Sequence, residues 1–184
     1  MRRQSTNGTC NFCGQTFGRI AMRRHVLSCP ERQMMLDAEA RKHKPQAGKL
    51  FQLLVEGDHA TMYWLQLDVR GDARLKDLDR FLRDIWLECC GHLSAFEIGP
   101  QRYSISPMGE YGERNLNATL GTLLRPKVKF RHEYDFGTTT ELVLTVISER
   151  DGDIGQRPLQ LLARNEPPLI PCGVCGKPAT ITCA

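Results

Sequence analysis

No stretch of this 184-residue chain approaches the ~20 consecutive apolar residues that a membrane-spanning helix needs. The opening residues, Met1 to Thr6, carry two arginines with no apolar run behind them, which argues against a secretory signal peptide. Both absences predict a soluble, cytoplasmic protein without a membrane partner. Thiols stay reduced there, so the eight cysteines predict metal ligands or buried apolar groups in place of disulfides. Signatures of catalysis are also missing. There is no glycine-rich phosphate cradle and no Ser/His/Asp or Cys/His set. Asp135-Phe136-Gly137 stands without the strand lysine and His-Arg-Asp loop of a kinase, and reads as a turn. Asp77, Asp79, Asp84 and Glu88 lie among basic residues and read as solvated charge. His92 reads as a packing residue, and Cys89-Cys90 as small buried groups at a helix end. A non-enzymatic protein with no small-molecule substrate is expected.

What the chain does contain is Cys10, Cys13, His25 and Cys29, spaced Cys-x2-Cys-x11-His-x3-Cys. Cys-x2-Cys lets a tight knuckle point two thiolates at one metal. His-x3-Cys puts an imidazole and a thiolate one helical turn apart on the same face. Phe17 and Met22, interleaved between the pairs, match the small-core positions of a ββα zinc finger with Cys in place of the last His. The spacing departs by one, since that finger usually has twelve residues between its inner ligands. A zinc ion held by these four residues is predicted, within a finger unit at residues 1–30.

Charge is unevenly spread. Residues 1–50 hold ten Lys/Arg against three Asp/Glu, and the rest hold fifteen against eighteen. An acidic partner for the N-terminal end is implied. Pro30 should close the finger helix, and residues 31–49 read as a basic helical linker with Met34, Met35 and Ala38 along a thin apolar edge. In a DNA-reading finger, helix positions −1, 3 and 6 face bases; these would be Gly18, Ala21 and Arg24. Only Arg24 can reach a guanine edge. Arg19, Arg23 and Arg24 are therefore expected to hold nucleic-acid phosphate with little sequence choice. The competing expectation is a zinc-dependent adaptor that binds another protein.

From Leu50 the texture becomes that of a packed domain. Residues 50–55 and 63–69 read as two strands joined through Glu56-Gly57-Asp58-His59. Leu75, Leu78, Phe81, Leu82, Ile85 and Trp86 then recur at helical spacing, with Asp72 as the expected N-cap. Leu78, Phe81, Leu82, Ile85 and Trp86 should pack on a sheet that includes Leu65, Leu67, Val143 and Val146. Further strands are predicted at 94–98, 102–105, 127–134, 141–148 and 159–163, with a short helix within 116–124. The fold class expected is α+β, a mostly antiparallel sheet packed by one main helix.

Tyr63-Trp64-Leu65-Gln66-Leu67, the helix ending at Trp86, His92 to Ile98, and Lys129 through Tyr134-Asp135-Phe136-Gly137 come in a recognisable order. Residues 50–165 resemble the family named after the third open reading frame of a pRi plasmid, also carried as passengers of insertion elements. The resemblance implies a mobile-element association and a fold, and it implies no reaction. The resolvase label some members carry finds no recombinase nucleophile motif in this sequence.

Residues 166–184 begin with a proline-rich link and end in cysteines. Cys172-Gly173-Val174-Cys175-Gly176 has the form of a zinc knuckle, and Cys183 follows. Three thiolates fall short of the four ligands of a structural zinc, so this tail is expected to bind a second zinc weakly, as a partial zinc-ribbon or MYND-like module, or to lack order.

Overall fold

The computed structural model describes residues 6–42, 47–87, 90–107, 112–166, 172 and 175–177. The chain opens with strands β1 (Asn7–Cys10) and β2 (Thr16–Gly18), then helices α1 (Arg19–Ser28) and α2 (Pro30–Lys42). Strands β3 (Gly48–Gly57) and β4 (Trp64–Arg70) follow, then helix α3 (Leu75–Ile85). Next come β5 (Ser94–Ile98), β6 (Gln101–Ser104), the two-residue β7 (Arg114–Asn115) and a one-turn helix α4 (Leu120–Leu123). Strands β8 (Lys129–Tyr134), β9 (Thr140–Gly152) and β10 (Leu159–Asn165) complete the order. The fold is α+β, with ten strands in one sheet ordered β2-β1-β10-β4-β3-β9-β8-β5-β6-β7. Every neighbouring pair is antiparallel except β6 with β7. Among the described residues no helix is long and apolar enough to cross a membrane.

Each face of the central strands has its own cover. Phe51, Leu53 and Val55 of β3 stand opposite Val69, Leu67 and Leu65 of β4, and side chains alternate along a strand. These six share one face and are buried with Leu75, Leu78 and Leu82 of α3. The N-cap differs from the expected one. Asp72 pairs with Arg70 instead, while the Asp77 carboxylate accepts from Arg74 N at 2.8 Å and closes the first turn. From β9 it is Leu142, Leu144 and Val146 that join this core. Val143, expected among them, takes the opposite parity and is only partly buried. Phe81, Ile85 and Trp86 are likewise partly buried at the rim. Leu82→Ala is therefore expected to cost roughly 3 kcal/mol and Phe81→Ala less, because part of that ring already meets water. Arg80→Ala should cost almost nothing, and urea unfolding of the three variants tests this order.

The other face carries Gln52, Trp64, Gln66 and Asp68, all buried. Alternation of polar residues there suggests a solvated surface, yet the N-terminal elements cover it. Strand β1 pairs with β10 through Gly8↔Asn165, Thr9↔Arg164 and Cys10↔Ala163. Gly8 passes so close to the Trp64 indole that a Cβ would sit 2.4 Å from its Cη2. Met22 and Val26 of α1 close over Trp64 and Leu162 in a second, smaller core. Helix α2, expected as a linker, is anchored as well. Arg32 is 6% exposed and donates to Val26 O at 3.0 Å and to the buried Asp68 carboxylate. Residues 6–42 are thus a continuation of the sheet and a layer upon it.

A candidate metal centre at the N-terminal edge of the sheet

Strand β1, the turn after it and helix α1 bring the predicted ligands together. Cys10 ends β1, Cys13 lies in the turn to β2, His25 sits in the last turn of α1, and Cys29 is that helix's C-cap. The turn is closed by its own backbone. Cys10 N donates to Gln15 O at 2.9 Å and Gly14 N donates to Cys10 O at 3.0 Å. Gly14 takes φ +71°, a left-handed conformation that glycine adopts without steric penalty. Asn11 N then donates to Leu162 O at 2.9 Å, which fastens the knuckle to β10.

One donor atom from each residue lies within 4.8 Å of the other three. Cys10 Sγ and Cys29 Sγ are 4.0 Å apart, and Cys13 Sγ is 3.2 Å from His25 Nε2. A tetrahedral ion with bonds of ~2.0–2.3 Å sets its corners roughly 3.3–3.8 Å apart, so the cluster is sized to hold a metal ion. Cys10 and Cys29 are buried at 1% and 2% exposure, while Cys13 and His25 are partly buried. Phe17 stacks against the His25 ring, centroids 4.3 Å apart, and holds the imidazole in place. Burial pushes the Cys29 thiol up to about 11. A cation must therefore displace its proton, which couples metal binding to pH.

The arginines expected to meet nucleic acid lie on α1, and two of them contact the sheet. Arg19 pairs with Glu56 of β3, and its carbonyl accepts from Gln66 Nε2 at 3.1 Å. Arg23 Nη2 donates to Ile147 O at 3.4 Å. Arg19 and Arg23 thus reach back to this chain's own sheet, and Arg23 and Arg24 are both exposed. Cys172 and Cys175 join no group of three or more ligands among the described residues, and Cys183 lies outside those residues.

Sequence reasoning missed two polar groups. Asp79, read as solvated, is 3% exposed. It accepts from Ser94 Oγ at 2.7 Å and Arg83 Nε at 2.8 Å, and lies 2.8 Å from His132 Nε2. Burial alone would raise its pKa, but hydrogen bonds from His132, Ser94 and Arg83 outweigh it and hold the carboxyl below the usual range. Asp79 is one helical turn from Leu75 and Leu82, and that position was the available signal. Asp58, His59 and Glu141 also gather, with donor atoms within 4.8 Å, beside a cavity of about 250 Å³ walled by Tyr63 and Trp86. The pairing of Gly57 with Leu142 and a bond from Asp58 N to Glu141 O at 3.0 Å bring them close, and nothing in the sequence announces it. Arg131 stands 3.7 Å from Asp58 and 3.9 Å from Glu141, a cation already facing both carboxylates. His92 lies 3.1 Å from Asp135. Gly137 N donates to Asp135 Oδ1 at 3.0 Å, as a turn requires.

No family model matches this chain, and no curated protein matches it. A crystal structure of a protein of unknown function from Methanosarcina mazei Go1 is similar at 15% identity and a TM-score of 0.53. The likeness covers 62% of this chain and 67% of that one. It is a likeness of fold alone.

Proposed function

We propose that Cys10, Cys13, His25 and Cys29 hold one Zn2+ as a closed structural site in a ββα finger, and that the chain is a non-enzymatic, zinc-stabilised protein-binding platform. The observation carrying the zinc is the fourfold donor cluster. Three soft thiolates and an imidazole favour zinc over hard, oxygen-loving cations. Bound there, the ion supplies cross-linking and no open coordination position. The central domain, in this reading, belongs with the plasmid open-reading-frame family that residues 50–165 resemble.

A protein partner is favoured over nucleic acid by the outward side of the two helices. Ile20 is 73% exposed, Leu27 48% and Met34 62%. Ile20, Arg24 and Leu27 lie at i, i+4 and i+7, on one face of α1. Apolar anchors flanking a cation suit an apolar groove edged by carboxylates, whereas phosphate docking would draw on Arg19, which is already paired with Glu56.

The freshly purified chain is expected to carry zinc, to show no nucleic-acid absorbance and to leave a generic duplex unbound at moderate salt. Proteins retained with it should be lost on Leu27→Asp without loss of zinc. Duplex binding that falls away between low and moderate salt, with a salt slope reduced by about 1 on Arg24→Ala, would replace this reading with the phosphate-docking one.

A further inference from the structure

The C-terminal cysteines repeat the backbone of the first knuckle. In Cys10 to Gln15, the first cysteine N–H donates to the carbonyl five residues on, and the glycine N–H after the second cysteine donates back to the first cysteine's carbonyl. In Cys172 to Lys177 the same two bonds recur, Cys172 N to Lys177 O at 2.7 Å and Gly176 N to Cys172 O at 2.8 Å. The glycines match too, with Gly14 at φ +71° and Gly176 at φ +69°. The first knuckle is braced by β10 and by α1. The second lies beyond the last strand and belongs to no helix or strand among the described residues. At the first knuckle this turn delivers Cys10 and Cys13 to the four-residue donor cluster, and the same turn presents Cys172 and Cys175 at the same Cys-x2-Cys spacing.

We propose that Cys172 and Cys175 form the thiolate half of a second Zn2+ site, separate from the N-terminal one and going beyond the function proposed above. Two thiolates are soft ligands and select zinc over magnesium or calcium. The pair fills two of four positions, leaving the others to ligands from outside it. Zinc there is therefore held less tightly than at the closed Cys10–Cys29 centre, and is exchangeable where the first is not.

The full chain, saturated with Zn2+ and freed of excess metal, should release zinc to a graded chelator in two steps. The Cys172→Ser/Cys175→Ser double variant should lose the earlier step alone and keep the thermal transition of the parent. Gly176→Ala is the sharper probe. A Cβ at Gly176 meets nothing within 4 Å, so the change strains only the left-handed backbone and should weaken the earlier step about tenfold while the later one stays. A single step in the parent, an earlier step that survives the double variant, or one unmoved by Gly176→Ala would each overturn the proposal. Loss of only the later step would count against the N-terminal zinc reading instead.

Discussion

Cys13→Ser is expected to remove the N-terminal zinc and to lower the melting transition of the entire sheet. Apparent binding energies for structural zinc in isolated fingers run about 10–16 kcal/mol near neutral pH, so residues 6–42 should not stay folded without it. An autonomous finger would unfold alone and leave the rest unchanged, as the sequence reading of separate units implies. The fold predicts otherwise. Strand β1 covers the edge of β10, Met22 and Val26 cover Trp64, and Arg32 neutralises Asp68. Losing them exposes a buried indole and leaves the buried Asp68 carboxylate with Arg150 alone. A few kcal/mol of lost stability shifts the transition of a domain this size on the order of 10 °C. Calorimetry of the variant, with hydrogen exchange on β4 and β10, measures the effect. An unchanged main transition, with fast exchange confined to residues 6–42, would show that the finger and sheet are energetically independent.

The second large effect is expected at Asp68. Its side chain is wholly buried and accepts from both Arg32 of α2 and Arg150 of β9. Burial pulls the Arg32 guanidinium down from its ordinary pKa, and Asp68 is the main group opposing that pull. Asp68→Ala leaves the buried Arg32 guanidinium beside the partly exposed Arg150 with no counter-charge between them, and removing one partner of a buried ion pair costs about 3–5 kcal/mol. Arg32→Met, which fills the space with an apolar chain and leaves Asp68 its Arg150 partner, should cost much less. Urea unfolding of the two variants distinguishes them. A loss under ~1 kcal/mol for Asp68→Ala would put this pair with ordinary surface ion pairs and mean that α2 is not anchored there.

Local chemistry explains which features were readable in advance. The four N-terminal ligands were legible because a metal knuckle and a helix turn are short-range objects, with spacing set by backbone geometry. The α3 stripe from Leu75 to Ile85 was legible for the same reason. The strands came out close to their observed bounds wherever alternation was clear, as in β3, β4, β5 and β8. Asp79 was misread because a carboxylate on a helix face looks solvated until His132, fifty-three residues later, is known to lie against it. The contacts of Arg19 with Glu56 and of Arg23 with Ile147 were not legible either, since these partners come from strands whose position over α1 is a tertiary fact.

By itself the sequence determined a cysteine-and-histidine cluster able to hold a metal ion, an α+β class and one amphipathic helix. Only the tertiary structure decided that the N-terminal residues extend the sheet as its β2 and β1 edge and roof its polar face. The physical reason lies in the strand period of two. Alternation shows that β4 has an apolar side and a polar one, but not whether Gln66 and Asp68 meet water or an arginine. That depended on Gly8 fitting against Trp64 and Arg32 reaching Asp68, contacts between residues dozens of positions apart that no local pattern encodes.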